Sequence, residues 1–327
     1  MPYLKGEDIN LGFAKEGTRG TYAAPTIYLP ARTPSGVKLA VDKTLVRETS
    51  GGGMSSTGAI VVQTRAEGDV EFNIRARSIG FLLYSLLGSK AVSTLASGVY
   101  EHVFTLLQGS PQFPTLSLVL SQLGFQDYKY IRSVVKSLEI RTPVTDLANA
   151  TANFLAAEEA TVSDVTVAFD DTDYYFLPQN IEIKIAADVA GLGAASALAL
   201  KDFSLSIDSN ARVNQNISEI TPSDVLSLLT EISGSLVMDY TAETAHDAFL
   251  AGTYYAMSIT MTRDDIDLGS GNSPSISIVL PRVSYEKHDP DRPIDDIVTE
   301  KIDFMAHHST DEGYGIEVTV VNDLASY

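Results

Sequence analysis

The sequence predicts a mainly β protein made of two tandem β-sandwich or half-barrel units, each with one short α-helix. Three observations predict it. Segments that alternate apolar and polar residues recur along the whole chain, and that period of two marks half-buried antiparallel strands. Segments with a helical period are few. Several alternating segments also recur in the same order about 160 residues further on, as in a tandem duplication.

Taken in order, the alternating segments are VKLAV (37–41), VEFNI (70–74), TLSLVL (115–120), SLEI (137–140), TVAF (166–169), IEIKI (181–185), FSLSI (203–207), SLVMDY (235–240), AMSITM (256–261), SISIVL (275–280), EKIDF (300–304) and IEVTV (316–320). One helix is expected over 77–88, because Ile79, Leu82, Leu83, Leu86 and Leu87 recur at helical spacing and Gly88 supplies a stop. A second is expected over 242–252, with Ala245, Ala248 and Phe249 on one face. Residues 225–229 suit a helix start or a strand, and 186–200 reads as a loop plus a strand or short helix. Two segments read as loops: the Gly/Ser-rich 48–58, and 286–296, which is charged and holds two prolines.

The repeat rests on four matches: 37–42 with 203–208, 68–74 with 234–240, 114–120 with 274–280, and 134–140 with 298–304. They divide the chain into an N-terminal arm with an opening strand (1–36), a first β unit (37–164) and a second (165–327). Each unit is expected to bury one sheet face against a second layer.

Composition narrows the function. The 327 residues include 44% hydrophobic residues, enough for one or two cores, and no cysteine, which excludes disulfides and thiolate metal sites. A formal charge of −19 opposes general affinity for nucleic acid or an anionic membrane. No run reaches the ~18 apolar residues of a membrane helix, and MPYLKGEDINLGFAKEG lacks a signal-peptide core. Synthesis and folding in a cytoplasm are expected.

The motifs that carry chemistry are missing. The five histidines form neither HExxH nor HxH, and His307-His308 reads as a polar strand end. DDIDLGSGN (264–272) has Ile276 where a calcium loop starting at Asp265 needs a glutamate, and reads as a hairpin loop. GLGAAS (191–196) lacks the third glycine and the βαβ setting of a dinucleotide site. Glu158-Glu159, Asp170-Asp171 and Asp295-Asp296 read as solvated carboxylates. No catalytic residue, cofactor or metal is expected.

The architecture resembles the tail tube (major tail) proteins of long-tailed, non-contractile bacteriophages. GTRGTYAAPT (17–26) resembles that family's Tyr-Gly-Thr-Pro-like opening, with Ala23-Ala24 in place of Gly-Thr. GDVEFNIRARSIGFLLYSLLG (68–88) resembles its strand followed by a helix ending in Leu-Gly. YEHVF (100–104) resembles its His-x-Phe strand, and FPTLSLVL (113–120) its Pro-Ser-Leu-Thr strand. YKYIRSVVKSLEI (128–140) resembles the aromatic-led strand after it, although the family usually has Gly where Ile131 or Arg132 stands.

The resemblance implies a structural virion protein without enzymatic activity. Its subunits join their inner strands into an intermolecular β-barrel, and the rings stack into the conduit for DNA ejection. The implied partners are other copies of the chain, a tape-measure protein, and tail-tip and terminator proteins. DNA passes in transit without specific binding, and no membrane is involved. With two units per chain, a homotrimer makes a pseudo-sixfold ring; a single unit would make a hexamer. An acidic lumen repels phosphate, and the candidates to line it are Asp42, Asp69, Glu71, Asp208 and Asp239, with Asp42 and Asp208 equivalent in the two copies. The implied ring-stacking loop is 43–59, with Ser50, Gly51, Gly52, Gly53, Met54 and Ser55 at its tip; its counterpart is 209–225. The alternatives are another ring-forming tail component (terminator, tail tip, or inner tube of a contractile particle) and a surface β-sandwich binding module. The last is disfavoured by the lack of tryptophan.

Overall fold

Alternation in the sequence becomes a chain of antiparallel strands. The structure is a computed structural model and describes residues 3–33, 36–46, 58–109, 112–163, 165–170 and 173–327. The first elements are β1 (Ile9–Lys15), β2 (Ile27–Leu29), β3 (Lys38–Val46), β4 (Gly58–Asn73), α1 (Ile79–Leu87), β5 (Gly88–Ala96), β6 (Val99–Leu106), β7 (Leu116–Gln122), β8 (Asp127–Arg141), β9 (Asn149–Ala156) and β10 (Glu158–Val162). There follow β11 (Ile181–Ala186), β12 (Leu200–Asp208), β13 (Arg212–Asn214), β14 (Asp224–Leu226), β15 (Glu231–Asp239), α2 (Thr244–Ala251), β16 (Tyr255–Thr262), β17 (Ser275–Asp291), β18 (Thr299–Ala306) and β19 (Glu317–Asn322).

Two long strands, β8 and β17, change partners along their length. The first part of β8 pairs with β7 and β10, and β7 continues through β1 to β2. The second part of β8 pairs with β9 on one side and β12 on the other. The first part of β17 lies between β16 and β19, and its last part pairs with β18. A row of eight antiparallel strands therefore crosses the molecule in the order β3, β4, β9, β8, β12, β15, β18, β17. One face of this row is apolar: Val70, Phe72, Phe154, Leu138, Leu205, Ile207, Leu236, Ile302 and Phe304 are all buried.

Helix α1 lies in the core. Ile79, Leu82, Leu83, Leu86 and Leu87 are buried, as is Phe81. Gly88 ends the helix at φ 84°, a left-handed conformation that glycine adopts without steric cost. Helix α2 ends in the same way at Gly252, but buries only Ala245 and Ala248. A hairpin, β5–β6, leaves α1 and pairs its second strand with β19, joining early sequence to late.

Within 1–36, expected as an arm with an opening strand, Leu11 and Phe13 of β1 lie in the core. Just beyond β1, Glu16 is buried and accepts bonds from Gly20 N at 2.6 Å, Arg132 N at 2.8 Å, Thr115 Oγ1 at 2.5 Å and Ser117 Oγ at 3.2 Å. Arg132 has φ 53°, a left-handed backbone conformation that glycine adopts more readily than a residue with a Cβ.

Two expectations are corrected. Residues 166–169 form no strand, although they alternate. Residues 286–291, expected as a loop, continue β17 against β18; cross-strand partners of opposite charge hold there what apolar alternation does not mark.

Candidate functional site

The opposite, polar face of the eight-strand row is the candidate site. Residues directly opposite in an antiparallel pair share a face, so the register carries this face from strand to strand. Asp42 is opposite Gln63. Asp69 and Glu71 are opposite Asn153 and Thr151, which are opposite Ser137 and Glu139. These in turn face Asp208 and Ser206. Asp208 is opposite Glu231, and Asp239 of the same strand is opposite Thr299. All five expected acids, Asp42, Asp69, Glu71, Asp208 and Asp239, thus lie on one face.

The acids are held by neighbours on that surface. Arg65 Nη1 reaches Asp42 Oδ2 at 2.5 Å, and its Nε reaches Glu67 Oε2 at 3.0 Å. Those hydrogen bonds, Glu67's first, hold the Arg65 guanidinium above its ordinary pKa. Asn153 donates to Asp69 at 2.6 Å. Arg32 stands 3.7 Å from Glu71, Asp208 accepts from Asn210 N at 2.7 Å, and Lys201 is 2.5 Å from Asp239.

Sequence reading missed half of this surface. The same register places Glu67, Glu139, Asp202, Glu231, Asp289, Asp291 and Asp303 on it, with Lys38, Arg65, Arg141, Lys287 and Lys301; Arg32, Lys136 and Lys201 also reach this surface, and the acids still outnumber the bases. Glu139 and Asp303 alternate within expected strands and were legible there. Asp289 and Asp291 fell in the expected loop. Lys287 hydrogen-bonds Asp289 at 2.9 Å and holds its carboxyl below the usual range.

One end of the face is covered. The β13–β14 hairpin sets Ala211, Val213 and Val225 over Val134 and Leu155. Arg19 Nε clamps it through Asp224 at 2.8 Å. The 209–225 segment also lies along β4, where Thr64 N donates to Ile220 O at 2.9 Å. Ser50, Gly51, Gly52, Gly53, Met54 and Ser55 lie outside the described residues.

Other motifs serve local structure. Asp267 Oδ1 accepts from Gly269 N at 2.8 Å and Gly271 N at 3.1 Å inside the expected hairpin loop. Asp188 Oδ1 accepts from Gly191 N at 2.8 Å, beside the 3-10 turn Ala190–Gly193. Among the described residues no group of three or more His, Asp or Glu side chains is placed to hold a metal, and no helix is long and apolar enough to cross a membrane.

No curated protein matches the chain. A family model described as phage tail tube protein matches residues 6–306. That match spans both ends of the eight-strand row, and with it the chain belongs to the phage tail tube family: it is a structural protein of the virion tail.

Proposed function

We propose that the polar face of the eight-strand row lines the tube of a long, non-contractile tail, as an acidic wall past which DNA slides. The carrying observation is the gathering of Asp42, Asp69, Glu71, Asp208 and Asp239 on one face, where acids outnumber bases. Clustered carboxylates repel phosphate and leave DNA no site at which to stick. The role is mechanical, without catalysis. The 50–55 loop tip stacks one ring on the next, and the tube meets a tape-measure protein inside and tail-tip and terminator proteins at its ends.

The chain supplies two tube units, so three chains make the pseudo-sixfold ring. Repetition of strand pairing supports this reading. Gly68 faces Phe154 as Gly234 faces Phe304. The register slips after Val135 of β8 and after Tyr285 of β17, the residues opposite those two phenylalanines. A second slip falls between Ser133 and Tyr130 of β8, and between Val283 and Leu280 of β17, at the same separation from the first. In this alignment β8 corresponds to β17 and β7 to β16, one strand away from the sequence matches over 114–120 and 134–140. The β5–β6 hairpin has no counterpart, which accounts for that slippage. Lys38 faces Glu67 and Ser206 faces Ser233, so Lys38 corresponds to Ser206, and the expected equivalence of Asp42 with Asp208 moves to Ala40 with Asp208.

The test is negative-stain microscopy of concentrated protein, followed by DNA binding to the assemblies. Hollow tubes that ignore DNA are expected. A chain carrying Asp69→Lys, Glu71→Lys and Asp208→Lys should form tubes that retain DNA at low salt and release it as salt rises. Isolated rings without tubes would favour another ring-forming tail component. Monodisperse particles at all concentrations would overturn the proposal.

A further inference from the structure

The eight-strand row has two outer edges. Among the described residues the Lys38–Asp42 stretch of β3 has its ladder pairing with β4, and the Lys287–Asp291 stretch of β17 has its ladder pairing with β18. Both stretches are largely exposed. The row holds an even number of antiparallel strands, so its two edges run in opposite directions. Copies placed side by side therefore meet in an antiparallel joint, like every joint inside the row.

The chain already contains a template for that joint. β8 meets β12 with Ser137 opposite Asp208, Leu138 opposite Ile207, and Glu139 opposite Ser206. The pairing alignment above makes β8 the counterpart of β17 and β12 the counterpart of β3. Glu139 then corresponds to Asp289, since each lies three pairs beyond the phenylalanine landmark, counted along β9 and β18. Ser206 corresponds to Lys38.

We infer that neighbouring copies of this chain join by docking β3 of one onto the Lys287–Asp291 stretch of the next, in the register of the internal β8–β12 joint. Lys38 then stands directly opposite Asp289 of the next copy, Leu39 opposite His288, and Ala40 opposite Lys287. Asp42 becomes the diagonal neighbour of Lys287, within reach of its long side chain. The occupant is a second copy because both edges belong to the same chain, their charges are complementary, and the row continues without change of hand. Leu39 is 41% exposed at its edge, whereas its counterpart Ile207 inside the internal joint is fully buried. An exposed leucine on an unpaired edge is an aggregation hazard that a docked neighbour removes. A two-residue slip in one direction sets Lys38 against Lys287, which like charge opposes. The slip in the other direction sets Lys38 against Asp291; charge tolerates it, but the internal joint does not have that register.

The inference rests on the tube reading, and the experiment separates the two. The chain has no cysteine of its own, so introduced pairs report without background. Full-length chains carrying Lys38→Cys together with Lys287→Cys, Asp289→Cys or Asp291→Cys are assembled and oxidised, and covalent products are read on a non-reducing gel. The Lys38→Cys, Asp289→Cys chain should give a ladder ending at the ring size, at several-fold higher yield than the other two. A mixture of the two single-cysteine chains should stop at dimers. Charge exchange is the second measure: Lys38→Glu alone abolishes assembly, and adding Asp289→Lys restores it. Tubes that form without any cross-link, or with strongest linkage at Lys287 or Asp291, would overturn this joint and leave the tube reading standing. Wild-type chains that never associate would overturn both.

Discussion

Replacing Glu16 by alanine tests how the opening segment is fastened to the fold. The carboxylate is buried, and four donors converge on it. Two are hydroxyls, Thr115 and Ser117, which rotate to other acceptors. The other two are backbone N–H groups, Gly20 and Arg132, which cannot move without their chain. Leaving a buried donor unsatisfied costs about 1–3 kcal/mol. Both residues are half-buried, so each sits toward the low end, and the pair contributes roughly 2–4 kcal/mol. Arg132 adds to this. Its φ of 53° is costly for a side chain with a Cβ, and the bond to Glu16 is one of the constraints that hold it. We expect Glu16→Ala to lose about 3 kcal/mol in urea unfolding. Glu16→Gln should lose less, since its amide oxygen still accepts while its nitrogen faces donors. The assay is the urea midpoint by circular dichroism and tyrosine fluorescence, with coincident transitions required. If Glu16→Ala unfolded within about 0.5 kcal/mol of wild type, the level of an ordinary surface change, the convergence would have no energetic meaning and the reasoning would fail.

Three further outcomes follow from the same structure. His102 is buried, donates from Nε2 to Leu324 O at 2.8 Å, and has its pKa pushed down, first by burial and also by Lys90. The unfolded chain therefore binds this proton more tightly. Stability should fall as pH drops below about 6.5, the ordinary histidine value; His102→Gln should flatten that part of the urea-midpoint profile, and an unchanged slope would refute it. A Cβ at Gly234 overlaps the Ser204 carbonyl oxygen and the Phe304 ring, so Gly234→Val should cost about 1–3 kcal/mol or more, whereas Gly193→Ala, at a glycine with open space around it, should be near neutral. Tyr327 is buried edge-on to Phe81 at 5.0 Å and His102 at 4.5 Å; Tyr327→Ala should lower thermal stability by about 3–5 kcal/mol, read by calorimetry.

Much of the local structure was legible. Alternation marks which residues of one strand share a face, and the expected helices at 77–88 and 242–252 appear as Ile79–Leu87 and Thr244–Ala251. Strand 166–169 failed because four alternating residues cannot hold a strand that finds no partner. The β17 extension through Asp291 was hidden for the opposite reason: it is stabilised by its neighbour, with Lys287 and Asp289 facing Asp303 and Lys301, and its own residues read as loop.

The amino-acid sequence by itself determined the β class, the two helix ends at glycine, the acidic balance and the resemblance to phage tail tube proteins, the family that the match over residues 6–306 then established. Each of those is set by local pattern or composition. Only the tertiary structure decided that Asp42, Asp69, Glu71, Asp208 and Asp239 share one face, and that β8 meets β12. A period of two says which residues of a strand point together and nothing about the strand beside it; partner and register are chosen by packing between residues far apart in the chain.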